Sequence, residues 1–282
     1  MNRLIYCLAI LIGFCSTSCN RTYLYVQTDV NEYGIETIFE SSPIEFKAAD
    51  DSSAARWGRQ HLKKEQENIR HKLFAEKITS LPYSFTILNA DEETVVSFVP
   101  TFENEHKAYR EAYFGMTIGE LMKLNMFTDK QRVNYPNGSL TLREKIGDDY
   151  YYILFELFEG ELYQVVIDSD NFQTEYNRHI LDIQNLLNVF LLSYELPYYS
   201  TPIPTEPVLR EEQSCIVARW KVGGKQVSIA STYHQGYGYA VMGTITNAER
   251  HFEKYKKESG IENEILKNEL RLRELEQSAA MF

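Results

Sequence analysis

DYYYILFELFEGELYQVVIDSDNFQTEYNRHILDIQNLLNVFLLSY, residues 149–194, holds the change of period that sets the fold class. Residues 150–157 and 161–168 are two runs of aromatic and branched side chains, separated by Glu159-Gly160, which suits a two-residue hairpin turn. With Phe158 opposite Glu161, uninterrupted pairing puts Tyr151, Ile153, Phe155, Leu157, Leu162 and Val166 on one face. Tyr152, Leu154, Tyr163, Val165 and Ile167 take the other. Two apolar faces predict a central strand pair covered on both sides. From Phe172 the spacing becomes three and four: Tyr176, Ile180, Ile183, Leu187, Phe190 or Leu191, and Tyr194 make one helix stripe, long enough to cross a sheet.

Upstream, 22–27 and 35–39 read as strands around the turn 29–34. Asp29, Asn31, Gly34 and Glu40 match part of a calcium-loop spacing, but Tyr33 and Glu36 break it, and the hairpin reading prevails. Ser52 or Ser53 caps a charged helix over 54–78, whose thin apolar row is Leu62, Ile69, Leu73 and Ile78. His61 and His71 lie ten apart on its charged surface and read as solvated; they lack the i, i+4 spacing that aims two imidazoles at one metal. Residues 83–88 and 94–99 form a second hairpin. A short helix is expected from Thr101 or Asn104 to Tyr113, and Thr117-Ile118-Gly119-Glu120 is a capping box. Tyr135-Pro136-Asn137-Gly138 is a turn, leading through 139–146 into the central pair as a meander.

Four prolines in 196–207 exclude helix interior and central strand, leaving a surface crossing. Residues 214–222 and 225–232 pair across Gly223-Gly224, with Ile216, Ala218, Trp220, Val222, Val227 and Ile229 on a dry face and Arg219, Lys221, Gln226 and Ser228 on a wet one. Cys215 falls on the wet side near the strand's start and reads as a small buried or edge thiol rather than a reactive one. Residues 239–246 add a third strand. From Ala248 the chain is helical and charged, with a break near Ser259-Gly260 and a sparse row Ile261, Ile265, Leu266, Leu272, Leu275, which suits a solvated arm or a helix that docks a partner. The expected fold class is α+β: antiparallel sheets built of meanders and hairpins, one central and one half-exposed, with a long crossing helix and charged peripheral helices. The segments are 1–18, 19–100, 101–195, 196–246 and 247–282.

Arg3, the apolar run 4–14 and the small residues Ser16-Thr17-Ser18 before Cys19 describe a secretory signal, too short for a membrane span, which needs ~20 apolar residues. The cysteine after small residues resembles the lipobox of bacterial lipoproteins, with Ser16 where that family usually has Leu. The resemblance covers the first twenty residues and implies a palmitate-type lipid on Cys19 and attachment to a membrane of the cell envelope, more often the outer one. Ordinary cleavage to a soluble periplasmic or secreted protein with a thiol at Cys19 suits the same residues. The lead Gly115-Met116-Thr117 into the capping box, together with the order of elements, resembles small envelope lipoproteins of the β-lactamase-inhibitor-like layout; no function follows from it.

The chain has 40 acidic against 29 basic residues, a formal charge of −11, which argues against nucleic acid and against electrostatic docking to anionic lipid. It carries no nucleophile elbow, phosphate loop, zinc-helix motif or paired-cysteine motif. Gly236-Tyr237-Gly238 reads as a hairpin turn rather than a dinucleotide loop, and no cofactor or metal is implied. The expectation is a non-enzymatic envelope lipoprotein that binds another protein, as an accessory, assembly or inhibitor-type module. The alternative is glycan binding through Tyr198, Tyr199, Tyr233, His234, Tyr237 and Tyr239, since aromatic loops offer rigid amphipathic contact. A third reading is an enzyme whose site is not visible as a motif.

Overall fold

The computed structural model describes residues 20–127, 133–134 and 140–259. The leader and Cys19, the turn at 135–138 and the sparse apolar row beyond Gly260 lie outside them. The fold is α+β with antiparallel sheets, and the chain divides into two compact units, Met1–Thr101 and Phe102–Phe282.

In the first unit, β1 (Arg21–Asn31) is the hub. One edge pairs with β3 (Ile44–Ala48) and then β2 (Glu36–Ile38); the other pairs with β4 (Ser80–Leu88), which carries β5 (Thr94–Phe98). The 29–34 turn is a hairpin turn as read: Asn31 Oδ1 accepts from the backbone of Tyr33 and Ile35. Asp29 belongs to the sheet, where its carboxylate accepts from Gln27 Nε2 at 2.7 Å and Ser80 Oγ at 3.2 Å.

Helix α1 runs Asp51–Arg70, shorter than expected. Its cap is Asp50, not Ser52 or Ser53: the Asp50 carboxylate accepts from Ser53 N at 2.7 Å. Of the expected apolar row only Leu62 is buried on this helix, and small residues, Ala54, Ala55 and Gly58, make up the rest of its buried face. Small residues let the helix axis sit close to the sheet, and a Cβ on Gly58 would lie 2.7 Å from the Phe85 ring. His61 is not a purely solvated residue. It stacks on Trp57 at 4.9 Å and meets Tyr25 edge-on at 5.0 Å, at the border of the core of Tyr23, Tyr25, Phe46, Phe85 and Ile87.

In the second unit, the stretch expected as a helix after Asn104 is instead a small ladder, β6 (Lys107–Tyr109) with β7 (Ala112–Tyr113). Arg110 turns the chain with φ 47, and its neighbours bury alternately as strand residues do. The capping box is present, with Thr117 and Glu120 exchanging both bonds, though its helix α2 spans four residues, Ile118–Leu121.

The two meanders do not form separate sheets. β8 (Val133–Asn134), β9 (Leu140–Ile146), β10 (Asp149–Phe158) and β11 (Glu161–Ser169) join β15 (Gly238–Asn247), β14 (Lys225–His234), β13 (Ser214–Val222) and the short edge strand β12 (Tyr199–Ser200) in one eight-stranded sheet. The joint is β11 with β15, registered Val165 to Ile245 and Ile167 to Gly243.

The central hairpin closes as expected at Phe158 and Glu161, but the register slips between Glu156 and Leu157, leaving Tyr163 as an extra residue. A bulge of one residue reverses the facing of everything beyond it. Val165 and Ile167 therefore join Tyr151, Ile153 and Phe155 on one fully buried face, while Tyr152, Leu154 and Val166 are half-buried on the other. The two mostly apolar faces expected of this pair are thus one dry face and one mixed face.

Across the whole sheet the dry face reads in two rows. Leu140, Phe155, Val165, Ile245, Val227 and Trp220 lie side by side, and next to them Leu142, Ile153, Ile167, Gly243, Ile229 and Ala218. A second bulge near Val217 removes Ile216 from the dry set, where it is half-buried. The crossing helix α3 (Tyr176–Tyr194) starts later than Phe172 and buries His179, Asp182, Ile183, Leu186, Leu187 and Phe190. It rests over Gly243, whose missing side chain admits Phe190 and Leu186: a Cβ there would lie 2.9 Å from Phe190 Cζ.

Helix α4 (Glu206–Glu212) follows the proline-rich crossing, with Pro207 in its first turn. Helix α5 (Ala248–Ser259) has no buried residue, yet side chains fasten it to its own sheet. Arg250 pairs with Glu161, Lys254 Nζ donates to Tyr163 Oη at 2.6 Å, and Lys257 Nζ to Glu159 at 2.6 Å. Among the described residues no helix is long and apolar enough to cross a membrane.

Candidate functional site

The β14–β15 hairpin ends in His234-Gln235-Gly236-Tyr237-Gly238, a tip that needs glycine at Gly236 (φ 84) and Gly238 (φ 116). Gly238 also makes room for another chain segment: a Cβ would lie 2.4 Å from the backbone oxygen of Gln173. That approach is fixed by two backbone bonds, Gln173 N to Tyr239 O at 2.7 Å and Tyr239 N to Gln173 O at 2.8 Å. The bridge carries Phe172 to the tip, where its ring meets His234 edge-on at 5.0 Å and Tyr237 at 5.7 Å. All three are exposed, Tyr237 at 70%. Replacing Gly238 with Ala should cost about 1–3 kcal/mol, because the residue is both left-handed and crowded by backbone. Hydrogen exchange at the Gln173 and Tyr239 amides should accelerate; unchanged protection would show that Phe172 is held some other way.

Behind the tip, Tyr233 and Tyr239 face each other at 5.1 Å, with the Arg210 guanidinium over both rings at 4.7 and 5.4 Å. Arg210 donates to Tyr233 Oη at 2.9 Å and, through two nitrogens, to Glu206 Oε1 at 3.0 and 2.8 Å. Tyr239, 1% exposed, donates its hydroxyl to the same oxygen at 2.5 Å. The Tyr239 hydroxyl and then Arg210 hold the Glu206 carboxyl below its usual range, while burial and then that carboxylate push the Tyr239 phenol up. The network immobilises the hairpin base and leaves the tip rings outward.

Deeper, His179 stacks on Tyr239 at 5.4 Å and its Nε2 lies 2.7 Å from Ser231 Oγ. The atoms are those of a nucleophile and base, but both residues are fully buried, so no substrate reaches the hydroxyl. The contact fastens helix to sheet. Cys215, half-buried, donates to Glu212 at 3.2 Å, and burial first and that carboxylate second raise its thiol to about 11, which keeps it protonated. Among the described residues no group of histidine, cysteine and acidic side chains is arranged to hold a metal.

Of the residues singled out from sequence, Tyr233, His234, Tyr237 and Tyr239 share this neighbourhood. Tyr198 and Tyr199 lie along the sheet edge instead: Tyr198 is buried, its N–H bonded to Arg219 O, and Arg219 covers the Tyr199 ring at 5.3 Å. Phe172, Glu206 and Arg210 are additions from the structure. The i, i+4 spacing of Glu206 and Arg210 was a visible signal for a helical pair; nothing local to Phe172 tells that it leaves the helix for the hairpin. The chain matches no protein-family model, no curated protein and no solved structure, so the functional reading rests on its own residues.

Proposed function

We propose that the chain is a cell-envelope lipoprotein, tethered by lipid on Cys19, that binds another protein through the Phe172, His234 and Tyr237 tip. The observation that carries this reading is the exposure of Tyr237, 70%, on a tip whose base is locked by Arg210 and Glu206. Rigid aromatic anchors lose little entropy on binding and dominate protein interfaces. A ring that projects fits into a partner's pocket, whereas sugar and small-molecule sites are concave. Glycan binding by the same rings is the second reading, supported by the same exposed aromatic faces.

The test is a crosslinked pull-down from detergent-solubilised envelopes with the full-length chain, the Phe172→Ala, Tyr237→Ala double variant and Cys19→Ser. One stoichiometric partner is expected, weakened about thirtyfold in the double variant, as loss of an interface hot spot of about 2 kcal/mol implies. The partner should also be depleted with Cys19→Ser, and folding should stay within about 0.5 kcal/mol, since the altered side chains are exposed. No protein partner in any sample would remove the reading, and a sugar retained by wild type and lost by the double variant would replace it with the second.

A further inference from the structure

At the other end of β14 from the aromatic tip lies a cavity of about 530 Å³, within the range of small-molecule sites. Its origin is visible in the alternation of β14. Val227 and Ile229 lie on the dry face, so Lys225, two residues earlier, is directed to the same face, and it is 3% exposed. Its Nζ donates to the backbone oxygens of Asn104 at 3.0 Å and Lys107 at 3.1 Å, and the Tyr194 ring lies at 5.0 Å. Among the described residues no carboxylate pairs with it. Burial first and the nearby Lys107 ammonium second bring its pKa down to about 8. A buried ammonium without a counter-charge is costly.

The cavity does not supply that counter-charge. Its one lining carboxylate near the cations, Glu144, is paired with Arg110 and accepts from Tyr109 Oη at 2.9 Å. With Arg110 and Glu144 paired, Lys107, Lys145 and Lys225 leave the lining positive, in a chain whose overall charge is −11. Ile167, Val189, Phe190 and Ile245 supply an apolar wall, and Asn104 and Ser193 add neutral polar groups.

We propose that this cavity binds a small amphipathic monocarboxylate, its carboxylate at Lys225 and Lys107 and its hydrocarbon body against Ile167, Phe190 and Ile245. The third N–H of Lys225 has an aromatic face for a neighbour, a weaker acceptor than a carboxylate oxygen. The binding energy divides accordingly: the hydrocarbon contributes burial, and the carboxylate contributes the missing counter-charge. The site does not depend on the aromatic tip, and its ligand is independent of the protein partner proposed above.

The probes are sodium octanoate, 1-octanol and octylammonium, titrated calorimetrically into the full chain at neutral pH. Octanoate is expected to bind one per chain, at least tenfold tighter than octanol, with octylammonium not binding. Lys225→Met should cut octanoate affinity at least tenfold and leave octanol unchanged. Should that variant fail to fold, Lys107→Gln, altering a side chain that is only half-buried, should weaken octanoate several-fold with octanol again unchanged. Equal affinity for octanoate and octanol, octanoate binding unaffected by either lysine variant, or no octanoate binding at millimolar concentration would each overturn the proposal.

Discussion

Replacing Trp220 with alanine is expected to lower the stability of the second unit by about 3–5 kcal/mol, the cost of emptying a large buried aromatic site. Trp220 is fully buried and ends the first dry row of the sheet, beside Val227. Its ring meets Phe190 edge-on at 5.7 Å, so it links the far strands to the crossing helix. Its indole N–H also donates to Glu195 O at 3.1 Å. Glu195 follows the last residue of α3 with φ 60 and ψ −127, backbone that glycine adopts far more readily than glutamate. The indole thus holds a strained carbonyl as well as filling space. Trp220→Phe separates the two roles: it keeps most of the packing and should cost about 1–3 kcal/mol for the orphaned carbonyl. Urea denaturation with hydrogen exchange read on peptides within 214–247 measures both. A loss under about 1 kcal/mol for the alanine variant would show that the site collapses without a cavity and that the row does not depend on its end residue.

The dry set around Trp220 was legible because β-hairpin pairing across Gly223-Gly224 needs only local chemistry. The same logic located the 158/161 closure, but local pattern does not announce a bulge. Tyr163 looks like any other strand residue, and its being skipped is decided by the gain when Val165 and Ile167 reach the buried face. The merging of two meanders into one sheet is likewise non-local, since the β11–β15 pairing joins residues about eighty apart in sequence. Gly243 shows the limit from the other side: in sequence it is a lone glycine in a strand, and its use emerges with Phe190 resting on it.

At the candidate site the hairpin tyrosines were legible as a loop rich in aromatics and glycine, whereas Phe172 was absorbed into the helix stripe by its spacing. Two backbone bonds between Gln173 and Tyr239 override that spacing. Lys225 carried a readable signal in its parity with Val227, but a lysine beside a turn is ordinarily solvent-facing, and its burial depends on the carbonyls of Asn104 and Lys107, supplied from far away in the chain.

Acidification should destabilise the second unit through His179. Burial lowers this imidazole from the ordinary 6.5 to about 4, and the geometry gives the reason. Nε2 is engaged with Ser231 Oγ, while Nδ1 is buried with no hydrogen-bond partner. Protonation would place N–H donors on both nitrogens, one of them with nothing to accept it, in a site lined by the Tyr176 and Tyr239 rings. The unfolded chain therefore takes up a proton near pH 6.5 that the folded chain refuses until about pH 4. Between those values the unfolded state binds more protons, so stability rises with pH, and it is lost as pH falls through the window. At about 1.4 kcal/mol per pH unit, the loss from this group is about 3 kcal/mol. Asp168 and Asp182, whose carboxyls burial raises, act in the opposite direction and oppose part of it. The comparison that isolates the histidine is with His179→Gln, whose amide nitrogen reaches toward Ser231 from the Nε2 position but does not titrate. Wild type should lose about 3 kcal/mol more than the variant between pH 6.5 and 4 in urea denaturation, and the two curves should run parallel above pH 7. Parallel curves throughout would mean that water or a rearranged acceptor reaches Nδ1 in solution. The His179–Ser231 contact would then be open enough to reconsider as a site of chemistry rather than a fastening between helix and sheet.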